Sequence, residues 1–256
     1  MLVAREIASY EEQSGLSYGN TVARPYYSDL SVNNYTRGTA VTFQTLNATE
    51  ETLVVDQQKE VSFYVDKLDE IQAKYDFRSD RTQHAAYLLS NTIDAKVLAE
   101  VANASITFDN SDLGGAAGNI TVTPSNVVQV FSKLKAKMHQ NNIEDTQPWC
   151  VVVDPMTAAN IEQSFVASGF STADITLKNG YAGDFLGFKI YVSNNLPANK
   201  LLACQKGAID LVVQLEPDVQ IVKAPDKSGY NVMVFDLYGV KTFKEGADRM
   251  VAVSVA

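Results

Sequence analysis

GTAVTFQTLNATEETLVVDQQKEVSFYVD, residues 38–66, is the stretch on which the architecture of this chain turns. Val41, Phe43 and Thr45 alternate with polar neighbours, and so do Val61, Phe63 and Val65. A period of two is the mark of β-strands with one apolar face. NATEE at 47–51 is polar and reads as the reversal between them. The predicted element is a long hairpin lying between Gly19 and Lys67, with little beside it in sequence on which to pack. A two-stranded hairpin alone is barely stable in water, so a neighbouring copy of the chain is its natural support.

Downstream of the hairpin the period changes. Ala85, Leu89, Ile93, Val97 and Val101 form an apolar stripe at helical spacing, with Asp80 as N-cap and Gln83 completing a capping box. The helix predicted over 80–103 is about six turns long, twice the usual length. Upstream, Val3, Ile7 and Tyr10 predict a short amphipathic helix over 1–14, marginal unless it rests on another surface.

Further along, Thr123-Pro124 and Asp154-Pro155 each read as an N-cap followed by proline at the first helical position. The first of these helices carries Val127, Phe131, Leu134 and Met138 on one face, and Gly169 closes the second. Between them Trp149–Val153 is a continuous apolar run, the pattern of a strand buried on both faces. Strands are predicted at 188–192, 219–223, 232–243 and 250–255, and a short helix at 202–212. Helices and strands mix without regular βαβ alternation, so the expected class is α+β.

With 256 residues and 46% apolar content the chain can fill a substantial core. No run reaches the roughly 18 apolar residues of a membrane span, and MLVAREIASYEEQ carries charge too early for a secretory signal. The expectation is a chain made in the cytoplasm with no membrane partner, whose Asn-x-Ser/Thr sequons at Asn34, Asn47, Asn103 and Asn119 are incidental. Cys150 and Cys204 sit in apolar surroundings and read as buried free thiols. A net charge of −9 without clustered Lys and Arg argues against a nucleic-acid grip.

Catalytic patterns fail one after another. His84 and His139 fall on polar helix positions far apart in the chain, and with two scattered cysteines they make no zinc spacing. Ser132-Lys133-Leu134-Lys135 matches S-x-x-K, but neither S-D-N nor K-T-G accompanies it. GGAAG at 114–118 lacks the GK[ST] of a phosphate cradle and reads as a flexible loop. Asp66, Asp69 and Glu70 read as a solvated face or as partners in an intersubunit salt bridge. The chain is expected to be no enzyme and to use no cofactor and no metal.

Three segments resemble the major capsid family of tailed bacteriophages, whose fold is named after phage Hong Kong 97. Residues 19–76, followed directly by the long helix, are similar to its strand, extended loop and spine helix. PWCVVVDPMTAANIEQ, 148–163, resembles its apolar strand breaking into a proline-led helix. GDFLGFKIYVSNNLP, 183–197, is the most specific, and NVMVFDLYGVKTFKEGADRMVAVSV resembles the closing strands.

The resemblance implies a Hong Kong 97 type capsid fold in five parts: an N-terminal arm at 1–26, an extended hairpin or E-loop at 27–66, a peripheral domain at 67–122 with its spine helix at 80–103, an axial domain at 123–218, and C-terminal strands at 219–256 returning to the peripheral domain. It implies self-assembly as pentamers and hexamers into an icosahedral shell around a double-stranded DNA genome bound without sequence specificity. The implied partners are other copies, a separate scaffolding protein, a portal and a decoration or cement protein. Arg37, Phe43, Glu50, Glu51, Lys59, Phe63 and Asp66 become candidate intersubunit contacts. Lys59 lies in no crosslinking motif, so no covalent bond between subunits is expected. Two rival readings are an encapsulin-type compartment and a small hydrolase built on Ser132 and Lys135.

Overall fold

A computed structural model describes residues 3–10, 19–28, 30–72, 77–143, 147–167 and 181–256. The chain starts with one helical turn, α1 (Ala4–Ile7), and a short strand, β1 (Ala8–Ser9). Then come β2 (Thr21–Tyr27), β3 (Ala48–Val54) and β4 (Gln57–Asp66). Helix α2 (Lys67–Gln72) precedes the long α3 (Phe77–Ala99), which tightens into a 3-10 turn at Glu100–Asn103. β5 (Ile106–Phe108), α4 (Val127–Gln140), β6 (Trp149–Val153) and α5 (Pro155–Ala167) follow. The last third holds β7 (Tyr181–Phe185), β8 (Phe188–Val192), β9 (Lys200–Gln205), β10 (Ile209–Lys223), β11 (Gly229–Lys241), α6 (Lys244–Ala247) and β12 (Met250–Ser254).

Two sheets carry the fold. A six-stranded mixed sheet has the order β5-β12-β9-β6-β8-β7. Its central β6 is buried throughout, and its side chains divide by parity. Trp149, Val151 and Val153 face a core shared with Phe131, Leu134 and Met138 of α4, while Cys150 and Val152 face one shared with Ile7, Val97 and Val101. A four-stranded sheet has the order β1-β10-β11-β4. α3 spans both sheets with its single stripe: Ala85 and Leu89 pack on Val234, Val61 and Phe63, whereas Ile93, Val97 and Val101 join the second core of the six-stranded sheet. This helix is long because it ties two bodies together.

Several expectations change. Residues 47–51 are no reversal, since Ala48 opens β3, and β3 pairs antiparallel with β2 instead of β4. β4 runs antiparallel to β11. Val41, Phe43 and Thr45 lie outside any strand, because alternation without a partner to accept backbone hydrogen bonds forms no ladder. The region predicted as a helix at 202–212 is β9, a turn with Gly207 at φ 85°, and β10; a short run buried on both faces has no period to tell helix from strand. The arm helix is four residues long, because Ala8 and Ser9 pair in parallel with Ile209 and Asp210; residues 11–14 lie outside the described residues.

Helix α3 starts at Phe77, so Asp80 lies inside its first turn, where a carboxylate still meets the positive end of the helix dipole. α4 starts at Val127 after a turn in which Thr123 O accepts from Asn126 N and Val127 N, three residues later than predicted. α5 starts at Pro155, with Asp154 Oδ2 accepting from Met156 N at 3.1 Å, as its sequence implies. Its predicted end, Gly169, lies outside the described residues. The strand predicted at 250–255 is β12, which pairs with β5 and β9 in the six-stranded sheet.

Candidate assembly interface

The β2–β3 hairpin has a fixed root and an unsupported tip. At the root, Val22, Leu53 and Val55 are buried with Val212 and Phe243. Arg24 Nη2 bridges Glu245 Oε2 at 2.7 Å, Lys244 N donates to Glu51 Oε2 at 3.1 Å, and Lys241 Nζ donates to Thr52 O at 2.6 Å. Val55 N donates to Asn20 O at 2.7 Å. β3 and β11 touch so closely at Gly239 that a Cβ there would stand 2.6 Å from Val54 O. The direction in which the hairpin leaves the body is therefore set by packing and by polar contacts on both strands.

Beyond the Tyr27↔Ala48 pair the chain leaves the ladder. Ser28 N donates to Asn47 O at 3.1 Å, Ser31 N donates to Gln44 Oε1 at 3.0 Å, and a turn closes where Thr39 N donates to Thr36 O with Gly38 at φ 90°. Polar groups thus give the loop its shape, and its apolar side chains face outward. Val32 is 101% exposed and Phe43 89%, with Leu30, Tyr35, Val41 and Leu46 also well exposed. Loops at a free surface are usually polar, and a contiguous apolar patch marks an interaction site.

The candidate contacts divide by location. Arg37 and Phe43 are on the exposed tip, and Glu50 is exposed on β3. Glu51 is engaged within its own chain by Lys244 N. Lys59 is exposed on β4, across the ladder from Asp236. Phe63 is half-buried under α3. Asp66 caps α2 by accepting from Leu68 N at 2.8 Å and also accepts from Tyr64 Oη at 3.0 Å. The structure thus brings only Arg37 and Phe43 together on the tip.

The polar residues that join the bodies were not singled out from sequence. Asp94 and Glu100, both buried on the α3 segment, accept hydrogen bonds from the arm, from the 193–195 loop and from Thr242. A lone acid in a helix carries no sign of its distant partners.

Of the residues weighed for catalysis, Ser132, Lys135 and His139 lie on α4 and His84 on α3. Ser132 is exposed, while Lys135 Nζ lies 3.4 Å from Leu186 O and 5.7 Å from the Trp149 ring centre. His139 stacks at 4.8 Å from the same indole, and His84 is exposed on α3. The GGAAG segment is drawn back on Asn110, whose Nδ2 donates to Ala116 O at 3.0 Å. Cys150 and Cys204 are cross-strand partners, both buried and free. Burial pushes the Cys150 thiol up to about 11 and the Cys204 thiol well above its usual value. Among the described residues no group of three or more His, Cys, Asp or Glu could hold a metal, and no helix is long and apolar enough to cross a membrane.

A family model described as phage capsid protein matches residues 31–248. A comparison with curated protein sequences finds no match. Among solved structures, a chain from Mycobacterium phage Che8 superposes with a TM-score of 0.80 at 20% identity, over 99% of this chain and 91% of that one. The capsid structure of the cyanophage P-SCSP1u gives 0.73 at 15% identity, over 100% and 88%. The virus-like particle from Pyrococcus furiosus gives 0.59 at 14%, over 99% and 92%.

Proposed function

The chain belongs to the phage capsid protein family and has the Hong Kong 97 type fold, and from that premise we propose how this major capsid subunit closes its shell. Copies join as pentamers and hexamers through the β2–β3 hairpin, whose tip lies over an adjacent subunit. The observation that carries this reading is the contrast along one element. Its root is locked by Leu53, Arg24 and Gly239, while Val32 and Phe43 at its tip have no cover. A fixed root aims the apolar tip at a neighbour, so that only the loop itself remains to be ordered on contact.

The parts of the subunit fit that role. The four-stranded sheet with the first half of α3 serves as the peripheral domain, and the six-stranded sheet with α4 and α5 as the axial domain. Shell formation needs no catalytic group. The acidic balance favours a wall that encloses double-stranded DNA without gripping its sequence. We infer assembly in the host cytoplasm with a separate scaffolding protein, a portal and a decoration or cement protein, and no covalent crosslink between subunits.

The test is to replace residues 31–45 with a short Gly-Ser turn, leaving β2 and β3 joined. A soluble, folded subunit that forms no closed particles in negative-stain electron microscopy is the expected outcome. Shells at wild-type yield would overturn the hairpin assignment.

A further inference from the structure

Three acidic side chains in this fold are almost fully withdrawn from water on or beneath α3, and only two accept several hydrogen bonds. Asp94 accepts from Ala4 N, Ser193 Oγ and Asn195 Nδ2; Glu100 accepts from Asn103 Nδ2, Thr242 N and Thr242 Oγ1. Asp236, 2% exposed on β11, has no side-chain hydrogen-bond partner at either carboxylate oxygen among the described residues, and only the backbone N–H and the charge of Lys59 across the ladder favour its ionised form. It stands between the buried Val234 and Tyr238, on the face of β11 that packs beneath α3.

The surroundings make this position deformable. β10 bulges opposite Asp236: Leu215 pairs with Leu237 and Asp218 with Phe235, so that Glu216 and Pro217 together face one residue. From β4, Lys59 is the directly opposed residue, flanked by Glu60. Asp56 lies just before β4, next to Tyr238. From α3 come the apolar Ala85, Leu89 and Ile93, with Lys96 one turn on and His84 and Arg81 exposed. The local charges therefore include a single cation directly across the ladder, Lys59, and acids at the bulge.

We propose that Asp236 is a proton-operated latch. As a neutral acid it lets α3 seat on β11; as a carboxylate it loosens that seat at the bulge, so the peripheral sheet opens and closes with pH. A carboxylate in a dry site without side-chain partners must gain water or a cation, and the bulge with Lys59 beside it is where either can enter. Burial pushes the acid up to about 6, which places the transition in mildly acidic solution.

Hydrogen exchange on the full chain tests this, comparing wild type with Asp236→Asn at pH 4.5 and pH 7 after correction for intrinsic rates. In wild type, peptides covering 232–240 and 85–97 should open roughly 20-fold more often at pH 7 than at pH 4.5. The Asn variant should change less than about threefold. Equal pH dependence in both proteins, or none in wild type, would overturn the latch. Should the variant not fold, wild-type peptides over β6 provide the reference. If they shift with pH as much as those over β11, the latch is equally excluded.

Discussion

The carboxylate of Asp94 and the backbone N–H of Ala4 are 2.7 Å apart, joining the middle of α3 to the first turn of the chain. The other oxygen of Asp94 accepts from Ser193 Oγ at 3.1 Å and Asn195 Nδ2 at 3.0 Å. One buried side chain thus pins α1, α3 and the 193–195 loop.

Asp94→Ala removes three hydrogen bonds in a site 2% exposed, leaving Ala4 N and Ser193 Oγ without this acceptor and Asn195 Nδ2 with Asn91 Oδ1 at 2.7 Å. Each such loss costs on the order of 1 kcal/mol or more, so urea denaturation should show a fall of about 3 kcal/mol. The arm should also detach, and trypsin should cleave at the exposed Arg5 faster than in wild type. Unchanged cleavage at Arg5 would mean that the arm is held by Val3 and Ile7 alone.

At the hairpin root the limit is space. Gly239→Ala places a methyl 2.6 Å from Val54 O and 3.0 Å from Val55 Cα, both backbone atoms that cannot rotate away. Overpacking of this kind costs about 1–3 kcal/mol. The melting temperature should fall accordingly, with faster amide exchange in β2 and β3 ahead of the six-stranded sheet.

These two sites show which parts of the fold were legible in the sequence. The stripe Ala85–Val101 and the run Trp149–Val153 were readable because each buries a face with a fixed period. β3 was hidden, since Leu53 is its only buried residue and the rest looks like a turn. The pairing of β4 with β11 was invisible because about 160 residues separate the strands and alternation names no partner. Asp94 and Asp236 drew no reading from sequence, as their burial comes wholly from elements distant in sequence. The tip was misplaced: the reversal was expected at 47–51 with Val41 and Phe43 in a strand, whereas the loop lies between Tyr27 and Ala48, because polar β3 looks like a turn and the apolar loop looks like a strand.

The paired thiols give a pH prediction. Both are raised, so the stability they lend is present below the unfolded value near 9 and is lost as pH climbs above it. For Cys150, raised to about 11, the loss approaches about 2 kcal/mol by pH 11. At pH 8 the thiolate fraction of a group at about 11 is roughly 0.1%, so iodoacetamide should label native protein over 100-fold more slowly than protein in urea. Rapid native labelling would show that the sheet between β6 and β9 opens readily.

The decisive substitution for the proposed function is Phe43→Asp. Phe43 is 89% exposed, so the isolated subunit loses almost nothing, and its melting temperature should stay within the shift expected for about 0.5 kcal/mol. In a shell every subunit gives one tip and receives another. Burying a Phe contributes about 1.5–3 kcal/mol at each contact, whereas burying an unpaired Asp costs more than that. Summed around a closed shell, so small a change per subunit should abolish particles while leaving the circular dichroism spectrum intact. Phe131→Ala is the counterpart: its ring is buried against Phe185 at 5.1 Å, so it should lower the melting temperature before it affects assembly. Normal shells from the Phe43 variant would place the contact elsewhere on the hairpin, and Arg37 is the next residue to change.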